Sequence, residues 1–168
     1  ILYKKKPLNN NATEESIKKG LLLLPEDRKE HAIFDLFNIK QNISIPVIKS
    51  KLAGILGMIK FREEKKYAEN IANLPLLRLK YRNINKSLDE LSGGNKQKVI
   101  IGRWLGIKNK ILFIMDEPTQ GIDIGTKYEI YILARELTKN GVSVIYISSE
   151  LPELLGICDR IYVFRSGN

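Results

Sequence analysis

The chain has 168 residues, enough for one ordinary domain or a large piece of one, and long enough to bury a core. With 43% hydrophobic and 28% charged residues it lies in the globular range, which excludes a disordered chain. The longest apolar stretch, residues 52–59, is far short of the ~20 residues that cross a bilayer. A formal charge of +9 invites an anionic partner, yet the lysines are spread along the chain, often beside glutamates, and no basic run alternates with aromatics. Nucleic acid is therefore not expected, and general solubility with proximity to an anionic leaflet accounts better for the charge. No signal-peptide pattern opens the chain, which starts at Ile1 and stops at Asn168 straight after an apolar run, so it reads as a cytosolic segment of a longer protein. Its one cysteine, Cys158, excludes an internal disulfide and reads as a small core residue.

A polar, turn-rich opening (Lys4-Lys5-Lys6-Pro7, then Asn9-Asn10-Asn11) precedes a short helix over 13–19 that Gly20 stops. Leu21-Leu22-Leu23-Leu24 reads as a buried strand. Pro25-Glu26-Asp27-Arg28-Lys29 breaks it with a charged loop, as readily a solvated turn as a functional one. Residues 32–86 mix apolar and basic segments and are expected to be mostly helical. Within them 61–73 predicts a helix with Tyr67, Ala68 and Ile71 on one face, closed by Pro75.

In Leu91-Ser92-Gly93-Gly94-Asn95-Lys96-Gln97-Lys98-Val99, two adjacent glycines remove side chains just before a helix-compatible run from Asn95. Bare amides there are open to an anion, although such a segment taken alone is more often a simple N-cap and turn. Ile111-Leu-Phe-Ile-Met115 is a buried-strand pattern ending in Asp116-Glu117-Pro118-Thr119, which sets two carboxylates where open α/β sheets bind ligands. Thr126-Lys-Tyr-Glu129 is a capping-box pattern, and Ile130, Leu133, Ala134 and Leu137 follow at helical spacing as far as Asn140-Gly141. Residues 142–147 predict the next strand, Ser148-Ser149-Glu150 its polar exit, and 160–164 one strand more. Strand, helix and strand at these lengths imply right-handed crossovers and a parallel sheet.

The segments around Ser92-Gly93-Gly94 and Asp116-Glu117 resemble the signature and Walker B motifs of ABC ATPases. With Pro25-Glu26-Asp27-Arg28-Lys29, Gly121-Ile122-Asp123 and Ile147-Ser-Ser-Glu-Leu-Pro-Glu153, nearly the whole chain is similar to one part of the sugar-importing ABC subunits. That part is the second of their two fused ATPase halves, with the galactose and methyl-galactoside importers nearest; residues 50–84 carry little of the likeness. The resemblance implies a P-loop NTPase-like α/β fold, a mostly parallel sheet plus a helical subdomain. It makes 1–168 a partial ABC ATPase domain lacking its N-terminal P-loop part, with the helical subdomain at 32–86 and the signature, Walker B and switch regions at 87–168.

The same resemblance implies ATP and Mg²⁺, held between two halves packed head to tail in one polypeptide. Ser92, Gly93 and Gly94 would contact the γ-phosphate of the partner half's nucleotide, and Gln97 of the same motif would count among the nucleotide-binding residues. Asp116 would act through Mg²⁺, Glu117 would orient or deprotonate the attacking water, and Asp123 would sit in the loop linking the two sites. Glu26 and Ser149 would line this half's own nucleotide. Membrane permease subunits are the implied partners, a sugar-binding protein an indirect one, and the cytoplasmic face of the membrane the implied location, held peripherally.

Three departures qualify this picture. No G-x-x-x-x-G-K-[ST] occurs, so the isolated segment is expected to be inactive. Glu26 stands where typical halves have glutamine, and Ser149 where they have histidine. A carboxylate repels phosphate and a serine cannot become cationic, so this half's own site is expected to be weak. An ABC-type ATPase for nucleoside import, one acting on nucleic acid, and an inactive remnant are the alternatives at this stage.

Overall fold

The computed structural model describes residues 2–3, 6–7, 12–54 and 57–165. Two dipeptide strands, β1 (Leu2–Tyr3) and β2 (Lys6–Pro7), pair antiparallel where the sequence reads only turns; residues 4–5 and 9–11 lie outside the described residues. Helix α1 (Thr13–Lys18) follows, with Glu14 and Glu15 in its first turn and Lys18 in its last, as the helix dipole favours. Gly20 ends it at φ +80, and a Cβ there would lie 2.2 Å from the Asn109 carbonyl oxygen, so only glycine fits.

Strand β3 (Leu21–Leu24) buries Leu22 and Leu24, but Leu23 is 50% exposed, so it is one-faced rather than fully buried. The charged loop contains a short helix, α2 (Arg28–His31), started by the Glu30 amide donating to Asp27 Oδ1 at 3.1 Å. Helix α3 (Ile39–Ser44) has a full capping box: Gln41 N donates to Asn38 Oδ1, and Asn38 N donates to Gln41 Oε1. A 3₁₀ turn (Ile45–Val47) and a five-residue π turn (Ile48–Leu52) lead to a hairpin closed by the Ala53↔Ile59 bridge. Then comes α4 (Phe61–Ala72), which buries Ala68 and Ile71 as expected.

Helix α5 (Gly93–Leu105) is central. Every residue from 97 to 103 is buried, the pattern of a helix surrounded on all sides, and it packs against α3, α4 and β3. Its buried charged members are matched rather than exposed. Arg103 donates to the Asn42 carbonyl at 2.8 Å and to Asn42 Oδ1 at 3.0 Å, and its guanidinium, lowered to about 10 by burial, lies over the Phe34 ring. The Lys98 ammonium pairs with Glu129 and donates to the Arg78 carbonyl.

Strand β4 (Leu112–Asp116), helix α6 (Ile124–Lys139), strand β5 (Ser143–Ile147) and helix α7 (Leu151–Ile157) complete the order. Ile130, Leu133, Ala134 and Leu137 are buried at the predicted spacing, but α6 starts earlier than the Thr126 pattern suggests, because Asp123 is the cap. The expected strand at 160–164 does not form: Tyr162, Val163 and Phe164 are 69–81% exposed. A strand exists only by hydrogen bonding to a neighbour, and among the described residues this segment has none. Cys158 is half-buried rather than core, and burial raises its thiol pKa.

The sheet order is β3-β4-β5, all parallel and without slip, with Leu24 opposite Met115 and Asp116 opposite Ile147. Three strands ending level bring their exits into one row: Glu26 after β3, Asp116 and Glu117 at β4, Ser148 and Ser149 after β5.

Candidate functional site

That row is the carboxyl edge of a parallel sheet, where α/β folds place ligands. Glu117 has φ +42, a left-handed conformation unusual for a side chain of its size. Such a residue costs about 1–3 kcal/mol and persists only when its surroundings fix it. Here three bonds do so: Glu117 N donates to the Ile147 carbonyl at 3.0 Å, Gln120 N donates to the Glu117 carbonyl at 3.2 Å, and Ser149 N donates to Glu117 Oε1 at 2.6 Å. The turn thus aims the carboxylate along the row, and the Ser149 backbone holds it. The Asp116 carboxylate, half-buried at the end of β4, accepts no hydrogen bond among the described residues.

Ser92 is the N-cap of α5, with its Oγ accepting from Asn95 N at 3.4 Å and Asn95 Nδ2 at 2.9 Å. The helix therefore begins at Gly93, two residues before the expected Asn95, and the cap reading and the anion-site reading are both embodied in one turn. The two glycines differ. Gly93 is exposed and, with Glu26, Lys96 and Gly121, lines a cleft of ≈ 630 Å³. Gly94 is buried against α6, where a Cβ would lie 2.5 Å from Thr126 Cγ2. The sequence rationale for both, close approach of phosphate, is thus replaced at Gly94 by close approach of a helix. Thr126 is itself anchored, its amide donating to Asp123 Oδ1 at 3.0 Å and its hydroxyl to Asp123 Oδ2 at 2.8 Å. The hydroxyl bond and then the amide bond hold the Asp123 carboxyl below its ordinary value.

Gln97 departs from its expected place. It is fully buried, and its Nε2 donates to the Pro118 carbonyl at 2.7 Å, which ties α5 to the loop after β4 and leaves no surface for a nucleotide to touch. Glu26 and Ser149 are both exposed at the row.

The sequence reading missed Glu153, the most heavily bonded carboxylate of the site. It is 6% exposed and accepts from five side chains: Thr119 and Ser148 on the two loops, Lys127 and Tyr131 on α6, and Tyr146 on β5, at 2.7–3.3 Å. Burial alone would raise its pKa, but hydrogen bonds from Tyr131, Thr119, Lys127 and Ser148 outweigh this and hold it below the usual carboxylate value. Tyr131 is pushed up to about 12, by burial first and then by Glu153. Its signals were its place at the end of the Ile147–Glu153 segment and in the first turn of a helix that carries Pro152, where a glutamate looks like a simple partner for the helix dipole.

The difference between the two glycines is measurable. Gly94→Ala should cost about 1–3 kcal/mol through overpacking against Thr126. Gly93→Ala, whose Cβ would meet only the Gly121 carbonyl oxygen at an ordinary 3.7 Å, should leave the melting temperature unchanged within about 2 °C, since a surface change of this kind stays within ~0.5 kcal/mol. Equal thermal stability of the two variants would contradict this division of roles.

An in-register parallel sheet, carboxylates at its carboxyl edge and a glycine-opened helix N-terminus across a cleft are the layout of a nucleotide-binding α/β protein. The chain belongs to the ABC transporter family, whose model matches residues 1–120. The ribose import ATP-binding protein RbsA of Hahella chejuensis is 44% identical over 154 residues, 92% of this chain and 30% of that protein. The arabinose import ATP-binding protein AraG 1 of Burkholderia thailandensis is 42% identical over 163 residues, 96% of this chain and 32% of that protein. The chain thus spans under a third of the length of these curated relatives.

Among solved structures, a dimeric post-hydrolysis form of the ATP-binding cassette MJ0796 bound to ADP and Pi superposes with TM-score 0.66. It is 22% identical and covers 89% of this chain and 62% of its own. A second dimeric MJ0796 cassette gives TM-score 0.57 at 24% identity, over 79% of this chain and 53% of its own. Both show the α/β cassette fold that the sequence predicts.

Proposed function

We propose that the chain is part of an ATP-hydrolysing subunit that energises import of a pentose through an ABC transporter, and that it supplies the signature motif to a composite site. The observation that carries this is the level row of strand exits, with Glu117 held in a left-handed turn and, after β3, Glu26 sharing a cleft with Gly93 at the open start of α5. The pentose assignment draws on the ribose and arabinose relatives; these give no support to the galactose expectation, which drops to second place.

ATP and Mg²⁺ fit the residues present. At the start of α5 the first amides have no carbonyl a turn behind them, so Ser92 and Gly93 offer donors and partial positive charge to a phosphate, while Gly94 lets α6 pack close behind them. The Asp116 carboxylate has no internal partner, which suits a hard cation. When bound, Mg²⁺ supplies charge that neutralises the transferring phosphoryl group. Glu117, oriented by Ser149, positions a water or accepts its proton. Gln97 acts from behind, holding the Pro118 carbonyl so that the turn keeps its shape. Asp123 fixes the start of α6 against Gly94, linking the two motifs mechanically.

The partners in this reading are a second ATPase half, membrane permease subunits and, indirectly, a sugar-binding protein outside the cell. The location is peripheral, at the cytoplasmic face; no helix among the described residues is long and apolar enough to cross a membrane. The test is ATP hydrolysis by the full-length subunit reconstituted with its membrane subunits. Stimulation by ribose or arabinose with its binding protein is expected. Stimulation by galactose alone would overturn the pentose assignment, and hydrolysis without any sugar response would overturn the transport role.

A further inference from the structure

The carboxylate of Glu153 stands between the two loops that hold Glu117. Thr119 follows Glu117 by two residues and is buried, and its hydroxyl donates to both Glu153 oxygens at 2.8 Å. On the other loop the Ser148 hydroxyl donates to Glu153 Oε2 at 3.1 Å, and the next residue, Ser149, gives its amide to Glu117 Oε1 at 2.6 Å. These bonds close a ring. It runs from Glu117 along the backbone to Thr119, across Glu153 Oε2 to Ser148, and through the Ser149 amide back to the Glu117 carboxylate. Ser148 is held from a further side, because its Oγ accepts from Glu150 N at 3.0 Å.

Such a ring is as rigid as the post it turns on. Lys127 and Tyr131 on α6 and Tyr146 on β5 donate to Glu153 from outside the ring, so its side chain keeps one orientation. An ionised carboxylate only accepts, and it therefore turns the protons of both loop hydroxyls toward itself. Stability alone asks that a buried charge be paired, which Lys127 already does. The bonds from Thr119 and Ser148 add something different: they fix the turn that bears Glu117 relative to the amide that aims it.

We propose that Glu153 is a positioning residue for hydrolysis: by joining Thr119 to Ser148 it keeps the Ser149 amide where that amide aims the Glu117 carboxylate. The proposal rests on the role given to Glu117 above and adds the group that sets its direction. A left-handed glutamate persists only where its surroundings fix it, and a reacting group displaced by ~1 Å loses up to about 10²-fold in rate.

The test uses the full-length subunit carrying Thr119→Val or Ser148→Ala. Each variant cuts the ring on one side and leaves Glu153 its bonds from Lys127, Tyr131 and Tyr146, so the fold is expected to survive. Exchange of the Ser149 amide proton with deuterium, read by fragment mass spectrometry, should quicken about fivefold in both, the support of one hydrogen bond. Turnover is read in a reconstituted transporter whose partner half has an amide in place of its matching carboxylate, so that the remaining hydrolysis reports on the site of Glu117. There kcat should fall about fivefold at unchanged KM for ATP, since what is lost is an interaction made in the transition state. Neither variant should lower turnover further once Glu117→Gln is present. Thr119→Ser, which keeps the hydroxyl, should behave as wild type in both readings.

Unchanged Ser149 exchange in both variants would overturn the proposal. So would a loss of turnover that persists undiminished beside Glu117→Gln, which is the mark of general damage, or a Thr119→Ser variant as impaired as Thr119→Val. An absence of any remaining hydrolysis at the Glu117 site would overturn it too, because there would be no reaction to position for. Sugar-stimulated hydrolysis by the unmodified transporter separates this role from the transport reading. If it is present while Ser149 exchange stays unchanged, only the positioning role fails; if it is absent while exchange responds as expected, only the transport reading fails.

Discussion

Glu117→Gln in this chain is expected to leave at least a tenth of wild-type ATP turnover in the reconstituted transporter, while the same change at the matching carboxylate of the partner half removes at least ~10²-fold, or roughly 3 kcal/mol of barrier. The structure makes this substitution a clean one. Glu117 Oε1 accepts from the Ser149 amide, and a glutamine carbonyl oxygen can take the same bond, so the left-handed turn at φ +42 survives. Only charge and basicity are removed. What makes the loss small here is the company the carboxylate keeps: another carboxylate, Glu26, ends up in the same row, and the side chain that follows β5 at 149 is a serine that cannot carry positive charge. A base in such surroundings has little transition-state stabilisation to lose. Steady-state turnover of transporters carrying each substitution separately decides the matter. Equal and severe losses from both would mean that the two sites fire symmetrically.

The second large effect concerns stability. Glu153→Ala should destabilise the fold by about 3 kcal/mol, because it strips a buried acceptor from Thr119, Tyr131, Tyr146 and Ser148 at once and leaves Lys127 only its exposed partner Glu150, at 2.6 Å. A fall in thermal midpoint on the order of 10 °C is the expected reading. Acid provides an independent check. The Glu153 pKa is lower in the folded chain than its ordinary 4.5, so its stabilising contribution is complete above 4.5 and disappears as pH falls from there through the folded value. Glu153→Gln should remove that part of the acid sensitivity while keeping the side chain's volume. A variant as stable as wild type, or as acid-sensitive, would show that the carboxylate is not the hub its contacts describe.

Elements defined by local chemistry were legible in the sequence. The four leucines of β3 and the apolar run ending in Asp116 mark strands by composition, and the apolar spacing of α6 marks a helix. Errors came where a local pattern had two candidates: Thr126 looks like a cap, but Asp123, three residues earlier, provides the hydrogen bond. The strand expected at 160–164 has the right composition, yet a strand is a property of a pair, and composition cannot show whether a neighbour is in reach. The site was readable as a set of motifs but not as an arrangement. Whether Gly93 or Gly94 faces the cleft, and whether Gln97 points out or in, depends on how α5 sits against α6. The Glu153 cluster was invisible for the same reason, since its donors come from four separate elements and share no spacing.

The level register of the sheet also governs how the row of strand exits is assembled. Pairing β4 with β5 closes a segment of roughly thirty residues, whereas pairing β3 with β4 closes one of roughly ninety, and tripling a loop costs about 1 kcal/mol more in chain entropy. Entropy alone therefore favours bringing Asp116, Glu117 and the Ser149 amide together first, as one strand–helix–strand unit. Glu26 reaches the row only through the longer and slower closure, the kind of non-local pairing that delays folding. Glu117 and its backbone clamp thus belong to the part of the chain that is easiest to organise, and Glu26 to the part that is hardest.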